Sequence, residues 1–147
     1  MDENKTQGIL AMKTIEDIDG FILKLELPYS ELDHGMWLIQ DQQETISIVV
    51  SLSGPVLVMR IKIFELKDSQ DKTGLFRLLL ELNASELLYG AYGLENNEVV
   101  LVESLSLEHL DFSLFQEAVE ALIMTVATQY GMISRALGSK TSQAEAR

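Results

Sequence analysis

Residues 45–66, TISIVVSLSGPVLVMRIKIFEL, decide the fold. In Thr45–Leu52 the β-branched Ile46, Ile48 and Val50 fall on one side of a two-residue alternation, the pattern of a half-buried strand. Ser53-Gly54-Pro55 interrupts the run as a turn. Val56–Leu66 then alternates again, with Arg60, Lys62 and Glu65 set among apolar residues. Strands joined by so short a connection run antiparallel.

Upstream, Met36–Gln40 reads as another strand and Asp41-Gln42-Gln43-Glu44 as a polar turn. Within Ile9–Leu27 the residues Ile15, Ile18, Ile22 and Leu25 recur at helical spacing, and Thr14 with Asp17 fits a capping box built on a shorter acid. Gly20 weakens that helix, and residues 21–27 also fit a strand. Pro28 ends the element in either case.

Downstream, Leu75–Leu82 (LFRLLLEL) is rich in long aliphatic side chains and poor in β-branched ones, so it reads as a short helix. Leu87–Leu94 and Val99–Leu107 read as strands around the turn Glu95-Asn96-Asn97-Glu98. Asp111, or Ser113 with Gln116 at capping-box spacing, starts a long helix striped by Phe115, Val119, Leu122, Ile123, Val126 and Tyr130. The order α-β-β-β-α-β-β-α predicts an α+β domain with a single five-stranded antiparallel sheet and three helices. It occupies residues 9–137, with polar, flexible tails at 1–8 and 138–147.

The 147 residues suffice for one domain with a sizeable core, and 47% of them are hydrophobic. The absence of cysteine excludes a disulfide framework and thiol chemistry and fits a reducing compartment. Met1-Asp2-Glu3-Asn4 is acidic where a signal peptide would be basic, and the apolar runs are too short to span a bilayer. These readings predict a cytoplasmic protein without membrane insertion. A net charge of −12, from 23 acidic and 11 basic residues, disfavours nucleic acid and favours a basic or cationic-amphipathic partner.

No catalytic constellation emerges. His34 and His109 lie far apart and have no cysteine to complete a metal site, so both read as turn or surface residues. No nucleophile elbow, phosphate loop or dinucleotide fingerprint occurs. The carboxylate pairs Asp17/Asp19, Asp68/Asp71 and Glu117/Glu120 read as solvated surface charge. Neither cofactor nor metal is expected, and the chain reads as a non-enzyme.

Trp37, the sole tryptophan, is a core anchor or a partner-binding hot spot. The small residues of Gly90-Ala91-Tyr92-Gly93 suggest close packing by a helix or a second subunit. The last helix is apolar over more than one face, as in a deeply buried or subunit-interface helix, and predicts a homodimer. The candidate partner or dimer surface comprises Trp37, Tyr89, Tyr92, Phe112, Phe115, Val119 and Ile123.

The stretches Ser30-Glu31-Leu32-Asp33-His34-Gly35-Met36-Trp37-Leu38, Leu78-Leu79-Leu80-Glu81-Leu82-Asn83, Tyr89-Gly90-Ala91-Tyr92-Gly93-Leu94-Glu95 and Val99-Val100-Leu101-Val102-Glu103-Ser104-Leu105, with the C-terminal helix, carry a resemblance. From about Ile9 to Ile133 the chain resembles the type III secretion chaperone-like fold, shared by the class I (CesT-type) chaperones and the YbjN family. The first branch implies an acidic homodimer that binds an extended, unfolded segment of a secreted protein. The YbjN branch implies less. A weaker similarity to small proteins encoded near PspA-type membrane-stress proteins would make such a protein the partner. The leading expectation is a chaperone-like or adaptor-like protein-binding module that buries an apolar segment of its partner, with strand addition as one route. A small-ligand regulatory domain is the alternative, and a closed apolar pocket near Trp37 and Tyr89 would mark it.

Overall fold

The computed structural model describes residues 12–145 apart from Ser69, with side chains described through Leu137. The expected tail 1–8 lies outside the described residues.

Helix α1, Ile15–Leu25, opens on the capping box expected from its sequence. The Thr14 Oγ1 accepts from the Asp17 N–H, and the Asp17 carboxylate accepts from the Thr14 N–H at 2.8 Å. Of the two readings of residues 20–27, the helix holds through Leu25, and Glu26 then turns left-handed at φ 58°. Ile18 and Ile22 bury its inner stripe.

The sheet has six strands, not the expected five. The additional one is β1, Tyr29–Asp33, directly after Pro28. All five of its residues are exposed, so it shows none of the inside–outside alternation by which a strand is recognised. It pairs antiparallel with β2, Met36–Gln40, across a turn where Gly35 sits at φ +79°. β3, Ser47–Ser53, and β4, Val56–Glu65, form the hairpin read first in the sequence.

Helix α2, Thr73–Ser85, follows, then β5, Ala91–Glu95, and β6, Glu98–Ser106. Asn96 and Asn97 both take positive φ in the two-residue turn between these strands, a conformation asparagine tolerates. The strand expected from Leu87 starts only at Ala91, because α2 runs to Ser85 and residues 86–90 are needed to reverse the chain. The spatial order is β1-β2-β3-β4-β6-β5, antiparallel throughout.

Helix α3, Phe112–Glu145, is capped by Asp111, whose Oδ1 accepts from the Leu114 N–H at 2.8 Å. Its backbone continues through residues 138–145 of the expected tail. Phe115, Val119 and Leu122 join Ile18 and Ile22 of α1, Leu75 and Leu79 of α2, and the inward residues of the sheet in one core. Among the described residues no helix is long and apolar enough to cross a membrane.

Candidate functional site

The two edges of the sheet differ. The β5 edge is blocked at Tyr92 by Asn83 of α2, whose side chain donates to the Tyr92 carbonyl at 3.1 Å and accepts from the Tyr92 N–H at 2.7 Å. One amide side chain thus satisfies the outward backbone groups of Tyr92 as a neighbouring strand would. Asn83→Leu is expected to leave both groups unpaired, costing about 1–3 kcal/mol for each buried group left unsatisfied. It also exposes the edge. Urea unfolding reads the first effect, and sedimentation velocity reads concentration-dependent association from the second.

Among the described residues the β1 edge is open. Backbone groups alternate in direction along an antiparallel ladder. The Gln40 N–H donates to Pro28 O, so Pro28 and Ser30 face β2 and the N–H and C=O of Tyr29 and Glu31 face outward. Tyr29 and Leu32 expose 47% and 51% of their surface along this strand, giving the edge two apolar contacts beside its free backbone groups.

A second feature lies inside the sheet. The β3–β4 ladder runs from Ser53↔Val56 to Val49↔Arg60 and stops there, although both strands continue. β3 remains with β2 through Ser47↔Gln40, while β4 remains with β6 through Glu65↔Glu98, with a bulge between Lys62 and Phe64. The strands splay, and a cleft of about 800 Å³ opens between them. Ile46 and Val49 wall it on one side, Ile61 and Ile63 on the other, and Ile123 and Val126 of α3 form its floor. At one end Tyr130 stacks on Phe64 with ring centroids 4.9 Å apart.

Asp41 shapes the β2–β3 turn that borders the cleft. Its Oδ1 accepts from the N–H groups of Thr45 at 2.7 Å and Ile46 at 2.8 Å, and its Oδ2 accepts from the Thr45 hydroxyl at 2.9 Å. These bonds, the Ile46 N–H foremost, hold its carboxyl below the ordinary aspartate value. A depressed folded-state pKa adds stability above the unfolded-state pKa, and that stability is lost as pH falls through the folded value. The wild-type urea midpoint is therefore expected to exceed that of Asp41→Asn at neutral pH. The difference should close below about pH 4.

The residues expected at an interface do not form one surface. Trp37, Phe115 and Val119 are fully buried, and Tyr92 is nearly so. The Trp37 indole N–H donates to Asp19 at 2.7 Å, and the Tyr92 hydroxyl donates to Gln129 at 2.6 Å. Burial pushes the Tyr92 phenol up to about 12. Phe112 remains partly accessible and packs against Phe21 with centroids 6.0 Å apart, beneath Lys24. The Tyr89 hydroxyl donates to Glu117 at 3.1 Å. Of the seven, Ile123 alone lines the cleft.

Sequence reasoning missed Tyr29, Leu32 and Tyr130. The cleft lies away from Trp37 and Tyr89 and is open, so it does not match the closed pocket that would mark a small-ligand domain.

His34 and His109 are exposed in turns. Among the described residues no cluster of three or more histidine and acidic side chains is placed to hold a metal. Several carboxylates serve the fold directly. Asp17 caps α1, Asp19 accepts from Trp37, Asp71 accepts from the Thr73 N–H, and Glu103 accepts from the Gly90 N–H.

The fold has solved relatives of low identity. The HopA1–SchA chaperone–effector complex contains a chain 17% identical, with a TM-score of 0.60 over 79% of this chain and 91% of that one. The ExsC–ExsE complex gives 15% identity and a TM-score of 0.64, covering 83% of this chain and 97% of that one. YbjN from E. coli gives 14% and 0.53, covering 89% and 94%. No curated protein matches the chain in sequence. The family model CesT_Tir_1 matches residues 11–136, nearly all of the folded region, and the chain belongs to the CesT_Tir_1 family.

Proposed function

We propose that this chain is a chaperone-like, protein-binding module that acts as an acidic homodimer in the cytoplasm and holds an apolar segment of a partner, extended along β1. The open β1 edge carries this reading. It offers the outward N–H and C=O of Tyr29 and Glu31, with Tyr29 and Leu32 exposed beside them. An added strand gains affinity from main-chain hydrogen bonds and selectivity from alternate side chains. Two of the fold's relatives are seen in complexes named for a chaperone and its effector or for two bound proteins. The net charge of −12 steers a basic or cationic-amphipathic segment and keeps the complex soluble.

The homodimer rests on a different region. Leu80 of α2, Leu88 of the following loop and Leu94 of β5 are 69%, 93% and 51% exposed. Large apolar side chains left in water this way favour association with a second surface. The proposal requires no chemistry of the carboxylates, which suits their use in caps and turns.

The test compares wild type with Glu31→Pro. Proline removes an N–H that faces outward, so the β1–β2 ladder stays intact while strand addition is blocked. Light scattering gives the mass, and pull-down with mass spectrometry gives bound proteins. A dimer with one stoichiometric partner, lost in Glu31→Pro, supports the reading. A partner retained equally by both proteins removes β1 from it, and a monomer without a partner removes the chaperone analogy.

A further inference from the structure

The cleft between β3 and β4 has a chemistry of its own. Backbone alternation follows from the sealed edge: Tyr92 faces away from β6, so its ladder partner Leu101 faces β4 and bonds with Ile61. Arg60 and Lys62 therefore face β3. The groups of Arg60 are used in the last rung with Val49. The ladder ends before Lys62, so its N–H and C=O point into the cleft at strand spacing. Arg60 adds a third unmet group: its buried Nε has no hydrogen-bond partner among the described residues, while the far end of its guanidinium donates to Glu95 at 2.9 Å. Around these groups the walls and floor are apolar, as in sites where a few polar groups fix the orientation of a ligand.

We infer that this cleft is a second peptide site, which takes a short extended segment with an apolar side chain against Ile123 and Val126 and a carboxylate against Arg60. The unpaired N–H and C=O of Lys62 select a peptide over an acyl chain, because only a peptide returns both an acceptor and a donor. Arg60 and Lys62 are already paired with Glu95 at 2.9 Å and Glu98 at 3.0 Å, and Asp41 shares the lining, so it is the unmet Arg60 Nε–H, not a free positive rim, that selects an acidic group on that peptide. This site is independent of the β1 edge, from which β2 and β3 separate it.

The experiment uses the full chain and a random hexapeptide library displayed on phage, with laurate as a separate probe. Ala127 is exposed on α3 and lines the cleft, so Ala127→Trp fills the space without touching the core. Circular dichroism and a urea midpoint confirm that each variant folds. Wild type is expected to enrich apolar peptides bearing an acidic residue. Titration with an enriched peptide should shift the Lys62 and Ile123 amide resonances and slow hydrogen exchange at Lys62. Ala127→Trp should abolish binding, and Arg60→Gln should weaken it roughly tenfold through loss of a charge-assisted hydrogen bond. Any of three results overturns the proposal: no enrichment, peptides that bind Ala127→Trp equally, or laurate binding at these residues where peptides do not. Shifts confined to residues 29–33, abolished by Glu31→Pro and untouched by Ala127→Trp, would place peptide binding at the β1 edge alone and overturn the cleft site.

Discussion

Trp37→Ala is expected to lower the free energy of unfolding by about 3–5 kcal/mol, the usual range for truncating a large buried aromatic residue. Domains of this kind hold only about 5–15 kcal/mol in total, so the variant approaches the limit of folding. Trp37 is fully buried on β2, paired with Glu31 on one side and Val50 on the other. The loss is mainly the cavity. The partner Asp19 is exposed and regains water when the indole N–H is gone.

The complementary change, Asp19→Ala, keeps the ring and leaves its buried N–H without an acceptor, costing about 1–3 kcal/mol. Trp37 is the sole tryptophan, so the series must be followed by far-ultraviolet circular dichroism in urea. A loss below about 1 kcal/mol for Trp37→Ala would contradict the range for buried aromatics and return this residue to the list of partner contacts.

Gly90→Ala carries the second large effect, and a single methyl group causes it. Gly90 sits at φ +82°, and a β-carbon there would lie 2.9 Å from Leu122 Cδ2 and 3.2 Å from Leu101 Cδ1. The left-handed backbone costs about 1–2 kcal/mol for an L-residue. Forcing the core apart adds about 1–3 kcal/mol. The expected loss is about 2–5 kcal/mol. Gly54→Ala separates the two contributions: φ is +57° there, and nothing lies within 4 Å of the added carbon. It should cost only the backbone part, about 1–2 kcal/mol. Equal losses in the two variants, measured by urea midpoint, would show that α3 yields to the methyl group.

Gly90 also bears on one sequence reading, while Gly93 has nothing within 4 Å of an added carbon. The small residues at 90–93 were open to packing by a helix or by a second subunit, and at Gly90 the neighbour is Leu122 of the chain's own α3.

What could be read from the sequence was whatever is local. The Thr14–Asp17 cap, the Asp111 cap and the hairpin at 45–66 depend on residues a few positions apart, and each formed as its spacing implied. β1 was illegible because Tyr-Ser-Glu-Leu-Asp buries no face, and only its pairing with β2 makes it a strand. The sealed edge was illegible for a different reason. Asn83 reads as a helix-end residue, and nothing in its neighbourhood announces two bonds to Tyr92.

The cleft was hidden most thoroughly. Val56–Leu66 reads as one continuous strand, yet the ladder to β3 ends halfway along it, because the Asp41 turn and the Lys62–Phe64 bulge draw the two strands toward different neighbours. The dispersal of the seven expected interface residues has a related cause for those on the last helix. A broad apolar stripe on a long helix marks burial, and here the chain's own sheet and α1 supply most of that burial.

The asymmetry of the two sheet margins has a consequence for runaway assembly. A cross-β stack lengthens only if every incoming chain presents one margin to bind and another to be bound. A chain with β5 stopped by Asn83 and β1 free meets the first condition and fails the second. Lengthening of such a stack on this chain is thus limited to one margin, β1, because Asn83 interrupts the other at Tyr92.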